Sequence, residues 1–266
     1  MTPLNTATIE KELKKHAIVF DSLLVHNSIP STNEAMKTAG AGIHICLAEA
    51  QTAGRAQGNK SWHSPAFQNI YLSIKMPLKT LKHVTRLPIL VALNVLESLK
   101  PLELPIMIKW PNDLYVNDKK LAGILVETIT QGEQTQAIIG IGLNVNMRNT
   151  DTLSNPWTSL AELSGETFNR SMIAIKLIPA LLNAARDFSH TDDLNERFLP
   201  YDYLKEKSVV LEGSDQAHPT QGIDNEGGLR IKTSEGIKTL TQANIKKIMN
   251  TNHMARARAA LPTSND

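Results

Sequence analysis

Apolar and polar positions alternate at two spacings along the chain. From Leu87 to Leu99 the apolar residues Leu87, Val91, Val95 and Leu99 fall four apart, with Pro88 in the first turn, which predicts a helix laid on a sheet. Asn69 to Met76 alternates as a half-buried strand does. Apolar runs at 43–48 and 137–146 also read as strands, and 16–24 can hold one. Gly140 and Gly142 thin the second run, which marks either a packing need or a ligand pressed on the backbone. Pro30 to Lys37 opens a helix that Gly40 and Gly42 stop, and Ser31 with Glu34 has the spacing of a capping box. A second box, Ser159 with Glu162, starts a helix that Gly165 ends. Ser171 to Phe188 reads as a longer amphipathic helix kinked at Pro179, and 192–198 as a short one. Residues 130–136 read as a polar connector. Past Ser208 the runs shorten to three to five residues between turns such as Glu226-Gly-Gly228, the texture of a small antiparallel barrel. Residues 1–15 show no strong apolar period and are expected to be a flexible lead-in, frayed or weakly helical, and 251–266 a flexible tail.

The densest stretch is 105–128. An apolar run, Ile106 to Ile108, meets Lys109, Trp110, Pro111, Asn112 and Asp113, and a second short run precedes Lys120. The punctuation predicts strand, tight corner, strand, turn, strand. A corner that gathers an amine, an indole, an amide and a carboxylate, with another lysine on the next turn, suits an anionic, metal-bound substrate such as a nucleotide.

Composition narrows the class. Charge is nearly balanced, 28 Lys and Arg against 26 Asp and Glu, so nothing global calls for nucleic acid or membrane. No run approaches the ~20 apolar residues that span a bilayer, and Met1 to Lys15 lacks the apolar core of a signal peptide. The single cysteine, Cys46, lies in an apolar run and excludes an intrachain disulfide. A soluble cytoplasmic enzyme is expected.

The polar segment 49–65 carries Gln51, Gly54, Arg55, Gly58, Lys60 and Trp62 and reads as a long loop whose glycine-flanked backbone and cations can cradle an anion. Its Gly54…Lys60-Ser61 spacing imitates a P-loop, but Asn59 replaces the second glycine and Pro65 denies the helix that must follow.

Four stretches, in order and spacing, resemble the biotin–protein ligases: Ser31-Thr32-Asn33; Gln51-Thr-Ala-Gly54-Arg55 on to Trp62-His-Ser-Pro65; Lys109-Trp-Pro-Asn112-Asp113-Leu with Lys120-Leu-Ala-Gly123-Ile-Leu-Val-Glu127; and Gly140-Ile-Gly142-Leu-Asn144. The resemblance implies an α+β fold, a mixed sheet flanked by helices over 16–203, followed by a small SH3-like barrel over 204–250. It implies activation of biotin with MgATP to biotinyl-5'-AMP, then transfer to a lysine of the biotin carboxyl carrier protein of acetyl-CoA carboxylase or another biotin-dependent carboxylase. Relatives that double as repressors carry a DNA-binding domain ahead of the first motif. No such pattern precedes Ser31, so the expectation is the ligase alone, without DNA or membrane partners, and with a homodimer left open.

By the same resemblance Lys120 is the first choice for the catalytic residue, contacting the biotin carboxylate and the forming adenylate. Arg55 belongs to the loop that closes over the adenylate. Asn112 and Asp113 orient Mg²⁺ and ATP, and Asp113 is also a candidate to take the proton of the carrier lysine. Lys109 and Asn144 face the phosphates, and Trp62 the adenine. Ser31, Thr32 and Gln51 bind the ureido end of biotin; Asn33, Gly54, Gly123 and Gly142 complete that pocket, and Gln57 and Lys60 serve the adenylate. The chain departs from the family loop at Ala56 and Asn59, where glycines are usual, and at Gln57, where arginine is frequent; looser retention of the adenylate is the expectation. The rival activities are a lipoate ligase, which would lack the tryptophan–proline–asparagine–aspartate corner, an octanoyltransferase, which needs a nucleophilic cysteine, and a non-catalytic biotin sensor, which has no need of both Lys120 and Asp113.

Overall fold

Strand-forming runs of the first half pair into one sheet. In the computed structural model, which describes residues 2–131, 134–148 and 156–250, these are β1 (Ser22–His26), β2 (His44–Ala48), β3 (Ile70–Leu78), β4 (Met107–Lys109), β5 (Asp113–Val116), β6 (Lys119–Gln131) and β7 (Gln134–Leu143). Their order is β1-β2-β3-β7-β6-β5-β4. β1 and β2 are parallel and the other neighbours antiparallel, so the sheet is mixed.

Alternation gives the sheet two unlike faces. Leu72, Ile74 and Met76 of β3, with Ile139, Ile141 and Leu143 of β7, join the main core beneath α3 (Leu87–Leu99) and α5 (Arg170–Asp187). α5 runs unbroken through Pro179. The opposite face carries Ser73, Gly140 and Gly142 and is only partly covered by the short α2 (Thr32–Thr38), over a small cluster of Met36, Cys46 and Ile138. That half-covered face, with glycines in its floor, is where a ligand can reach the backbone. After α4 (Leu160–Ser164) and α6 (Leu194–Phe198), strands β8 (Lys207–Leu211), β9 (Ala217–Ile223), β10 (Leu229–Thr233), β11 (Gly236–Leu240) and β12 (Ile245–Asn250) form a five-stranded antiparallel sheet. α4 starts and stops as its residues demand: Ser159 Oγ accepts from Glu162 N at 3.1 Å, and Gly165 takes the left-handed cap at φ 80°.

The second sheet is fastened to the first. Trp110 Nε1 donates to the Gly227 carbonyl at 2.8 Å. Buried Arg86 donates to Glu226 at 2.8 Å and to the Thr191 carbonyl at 2.8 Å. Tyr203 N donates to the Ile108 carbonyl at 3.0 Å.

Two expectations are corrected. Residues 1–15 are not a flexible tail, for Thr6–Lys15 form a helix, α1. Its two apolar residues four apart, Ile9 and Leu13, are buried in the core, and Asn5 caps it by accepting from Thr8 N at 2.9 Å. A buried ion pair, Arg170–Glu49 at 2.6 Å, ties the segment down, because Arg170 also donates to the Thr2 carbonyl at 2.8 Å. The 130–136 connector is mostly strand: β6 and β7 pair as far as Gln131 with Gln134. The expected tail, 251–266, lies outside the described residues.

Candidate active site

The corner of 109–113 is built by β4 and β5, joined through a cis Trp110–Pro111 bond. Asn112 fixes it to β6: its Nδ2 donates to the Ile124 carbonyl, and Ile124 N returns a bond to the Asn112 carbonyl at 3.1 Å. One register shift then aims the lysine. Asp113 pairs with Gly123, but a bulge makes Tyr115 pair with Lys120 rather than Leu121. Bulges beside active sites commonly re-aim a side chain in this way. Here Lys120 comes onto the glycine face and its Nζ meets Asp113 Oδ2 at 2.7 Å, while Leu121 stays buried on the other face.

Two cavities open on this face, on either side of the loop 52–64. The first, of about 400 Å³, is bordered by Ser31, Thr32, Asn33, Gln51, Arg55, Gln57, Lys60, Trp62, Lys109, Asn112, Asp113, Lys120, Gly123 and Gly142. The second, of about 690 Å³, shares Gln51, Lys60, Trp62 and Lys120 and adds Gly54, Asn144 and Trp157. Every residue expected in the site borders one or both.

At one end the first cavity is polar and neutral. Gln51 Oε1 accepts from Thr32 N at 2.9 Å and Thr32 Oγ1 at 3.2 Å, and its Nε2 donates to Ser64 Oγ at 3.0 Å. Ser73 Oγ donates to Asn33 Oδ1 at 2.6 Å and lies 2.7 Å from Thr32 Oγ1. The capping-box reading of Ser31 does not hold: it sits at the N-cap of α2 but its side chain makes no capping bond, and Glu34 bonds Lys37 and Arg55 instead. The buried Ser31 hydroxyl is thereby left to the cavity.

The other end is cationic. Lys109 lies 4.8 Å from the Tyr115 ring centroid and donates to its hydroxyl at 3.3 Å, and Lys120 lies 5.1 Å from the Trp62 ring. Burial holds the Lys109 pKa below the ordinary lysine value; Asp113 opposes that, and the charges of Lys120, Lys207 and Lys60 add to it. Burial, with Asp113 beside it, pushes the Tyr115 hydroxyl up to about 12.

Both strand glycines border the first cavity and also leave room for a side chain packed on them. A Cβ on Gly140 would lie 2.0 Å from Asn33 Oδ1, and one on Gly142 would lie 2.4 Å from Trp62 Nε1. The Trp62 indole lies across Gly142 and Gly123 with its buried N–H unpartnered, and Trp62 borders both cavities. Asn144 is turned inward: buried, it donates to the Thr158 carbonyl at 3.0 Å and braces 156–158, which bridges Lys120.

The sequence reading missed several residues. Tyr115 was within reach of it, standing two positions after Asp113 and so on the same strand face. Trp157 and the Asn244-Ile245-Lys246 segment, which borders the first cavity from the second sheet, carry no local signal, while Glu34 stands out in the sequence only by its capping-box spacing and Glu127 only as the last residue of the 120–127 stretch. Among the described residues no three of His, Cys, Asp and Glu gather where they could hold a metal ion.

A model of the biotin/lipoate A/B protein ligase family matches residues 26–144. The biotin–[acetyl-CoA-carboxylase] ligase of Mycobacterium tuberculosis is 30% identical over 190 residues, 67% of this chain and 70% of that protein. This chain belongs to the biotin/lipoate A/B protein ligase family. Another family member, the bifunctional ligase/repressor of Salmonella typhimurium, is 36% identical over 203 residues, 73% of this chain; the chain spans 63% of that relative's length and 65% of its Bacillus spizizenii counterpart's. Among solved family structures, biotin protein ligase from Aquifex aeolicus in complex with biotin and ATP superposes with a TM-score of 0.74 at 26% identity, covering 87% of this chain and all of that one.

Proposed function

We propose that this chain is a biotin–protein ligase, joining biotin and ATP into biotinyl-5'-AMP with release of pyrophosphate and passing the biotinyl group to a carrier-protein lysine. The observation that carries the reading is the Lys120–Asp113 pair at the cationic end of a cavity whose other end is polar and neutral. A ligand with a ureido group at one end and a carboxylate at the other matches that polarity.

Ser31, Thr32 and Gln51 then hold the ureido group by hydrogen bonds, and the biotin carboxylate reaches Lys120. Its oxygen attacks the α-phosphorus of ATP and pyrophosphate leaves from the opposite side. Bringing two anions together is the obstacle, and Lys120, Lys109, Lys60 and Arg55 screen them. The second cavity takes the adenosine, with the Trp157 indole at its wall and Trp62 dividing it from the biotin. With the loop 54–62 over the mixed anhydride, water is kept from it. In the second step the carrier amine attacks the acyl carbon and AMP leaves; Asp113, once Lys120 turns to the acyl phosphate, can take the proton.

Mg²⁺ suits this site as a companion of ATP. Mg²⁺ commonly takes one or two carboxylates plus substrate phosphates and water, and one carboxylate, Asp113, with the amide oxygen of Asn112 matches that donor set. When bound it would draw charge from the phosphates. The carrier is the biotin carboxyl carrier protein of acetyl-CoA carboxylase or another biotin-dependent carboxylase, and the setting is the cytoplasm. No described helix is long and apolar enough to cross a membrane.

An acyl-thioester route through Cys46 is disfavoured. The thiol is fully buried and burial pushes its pKa up to about 12, whereas a nucleophilic cysteine needs its thiolate. The test is ATP–pyrophosphate exchange with biotin, lipoate or octanoate. Exchange with biotin alone is expected; exchange with lipoate alone would move the chain to the sister activity, and silence from folded protein that binds biotin would make it a sensor.

A further inference from the structure

Glu127, on β6, lies outside both cavities yet holds three side chains, two of which, Asn33 and Arg55, border the first cavity. Its Oε2 accepts from Asn33 Nδ2 at 2.9 Å, and its Oε1 accepts from Arg55 Nη1 at 3.1 Å and pairs with Lys37 Nζ at 3.2 Å. These partners come from two parts of the chain: Asn33 and Lys37 from α2, Arg55 from the loop. Asn33 is consumed by the arrangement, because its Oδ1 takes the Ser73 hydroxyl and its amide rests on Gly140. Arg55 spends one nitrogen: its bonds to Glu127 and to Glu34 all leave from Nη1. A guanidinium carries five N–H donors in a fixed fork, so the others remain for an anion in the cavity that Arg55 borders.

The two carboxylates on Arg55 differ. Glu34 is exposed, in the first turn of a seven-residue helix, with Lys37 as its other partner. Glu127 is half-buried and fixed from below by Asn33. Burial alone would raise its pKa, but the bonds from Asn33 and Lys37 and the charges of Arg55 and Lys37 carry it below the ordinary glutamate value.

We propose that Glu127 is a positioning residue for the reaction, a single carboxylate that anchors the adenylate loop through Arg55 and sets the floor of the biotin pocket through Asn33. The proposal rests on the biotin-ligase reading for the identity of the ligands, but the anchoring itself does not. The two limbs separate by substitution. In Glu127→Gln the amide oxygen still accepts from Asn33 while the charge facing Arg55 is lost. In Glu127→Ala both are lost and the buried Asn33 amide is left unpaired.

The experiment measures amide hydrogen exchange in loop 52–62, biotin KM, and the release rate of preformed biotinyl-adenylate, for wild type, E127Q, E127A and E34Q, each first checked for an unchanged far-UV spectrum and a cooperative melt. E127Q is expected to exchange its loop amides faster and release adenylate about tenfold faster, the loss of one charge-assisted bond, with biotin KM within about twofold of wild type. E127A is expected to add a several-fold rise in biotin KM, and E34Q to stay within about twofold throughout. Loop exchange and release in E127Q equal to wild type would overturn the anchoring. An unchanged KM in E127A would overturn the Asn33 limb, and E34Q matching E127Q would remove the distinction between the carboxylates. A wild type that forms no adenylate from biotin would sink the functional reading instead, while loop exchange still decides the anchoring.

Discussion

Gly140 and Gly142 are two residues apart on β7 and point the same way, yet alanine at the two positions should do opposite things. Neither glycine has a positive φ, so alanine strains neither backbone and would gain about 0.5–1 kcal/mol of strand preference. The difference is what the new methyl meets. At Gly140 it would lie 2.0 Å from Asn33 Oδ1, in a buried side chain locked by Ser73 and Glu127. Overpacking a filled core costs about 1–3 kcal/mol, and each of two displaced hydrogen bonds about 1 kcal/mol more, so Gly140→Ala should lose on the order of 2–4 kcal/mol. At Gly142 the methyl would lie 2.4 Å from Trp62 Nε1, but Trp62 is half-exposed on a loop and can swing away. Stability there should change by less than about 1 kcal/mol, whereas biotin-dependent pyrophosphate exchange should fall at least about tenfold, because the wall between the cavities has moved. Urea midpoints and exchange rates for the two variants decide it. A Gly140→Ala protein as stable as wild type, or a Gly142→Ala protein with full exchange activity, would refute the reasoning.

Lys120→Ala should abolish most adenylation yet leave the urea midpoint within about 1 kcal/mol, since the ion pair it breaks is partly solvated; wild-type exchange in that variant would remove its assigned role. Gln57→Arg should slow adenylate release, read as a longer half-life of the enzyme-bound intermediate after gel filtration, and an unchanged half-life would count against Gln57 as the loosened position. Asp202 supplies a pH dependence. It is buried with Oδ2 unpartnered, and burial raises its pKa to about 6. Because the folded protein then holds the proton more tightly than the unfolded chain, stability rises as pH falls through about 6 toward the ordinary aspartate value near 4. The urea midpoint should therefore climb on acidification from pH 8 to pH 5, relative to Asp202→Asn, which lacks that slope; parallel curves would place the proton elsewhere.

The corner was legible in the sequence because its chemistry is concentrated in a dozen residues and its strands announce themselves by alternation. α3 was legible for the same reason, its apolar residues recurring every four positions over thirteen residues. α1 was not, since only Ile9 and Leu13 mark its buried face, too few to stand out against polar neighbours. The strand ends at 130–131 and 134–136 read as a connector because their side chains are all polar and show no apolar alternation. In the site, Lys120 and Asp113 were found by spacing, but their contact depends on a bulge that no periodicity encodes. Glu127 was quoted as part of a motif and given no task, because its partners Asn33 and Arg55 lie 94 and 72 positions away. Trp157 and Lys246 belong to segments whose place beside the cavities is decided by tertiary packing.

The fastening of the second sheet to the first bears on how the molecule comes apart. If the turn carrying Glu226 and Gly227 let go, the Trp110 indole N–H would lose its acceptor and Arg86, 4% exposed, its nearest carboxylate. Each orphaned buried donor costs about 1–3 kcal/mol, and more for a charged group. Detachment would thus be charged directly to the corner that carries Lys109, Asn112 and Asp113. A single melting transition, in which the corner and the far β-turn come apart together, is the behaviour expected of this arrangement.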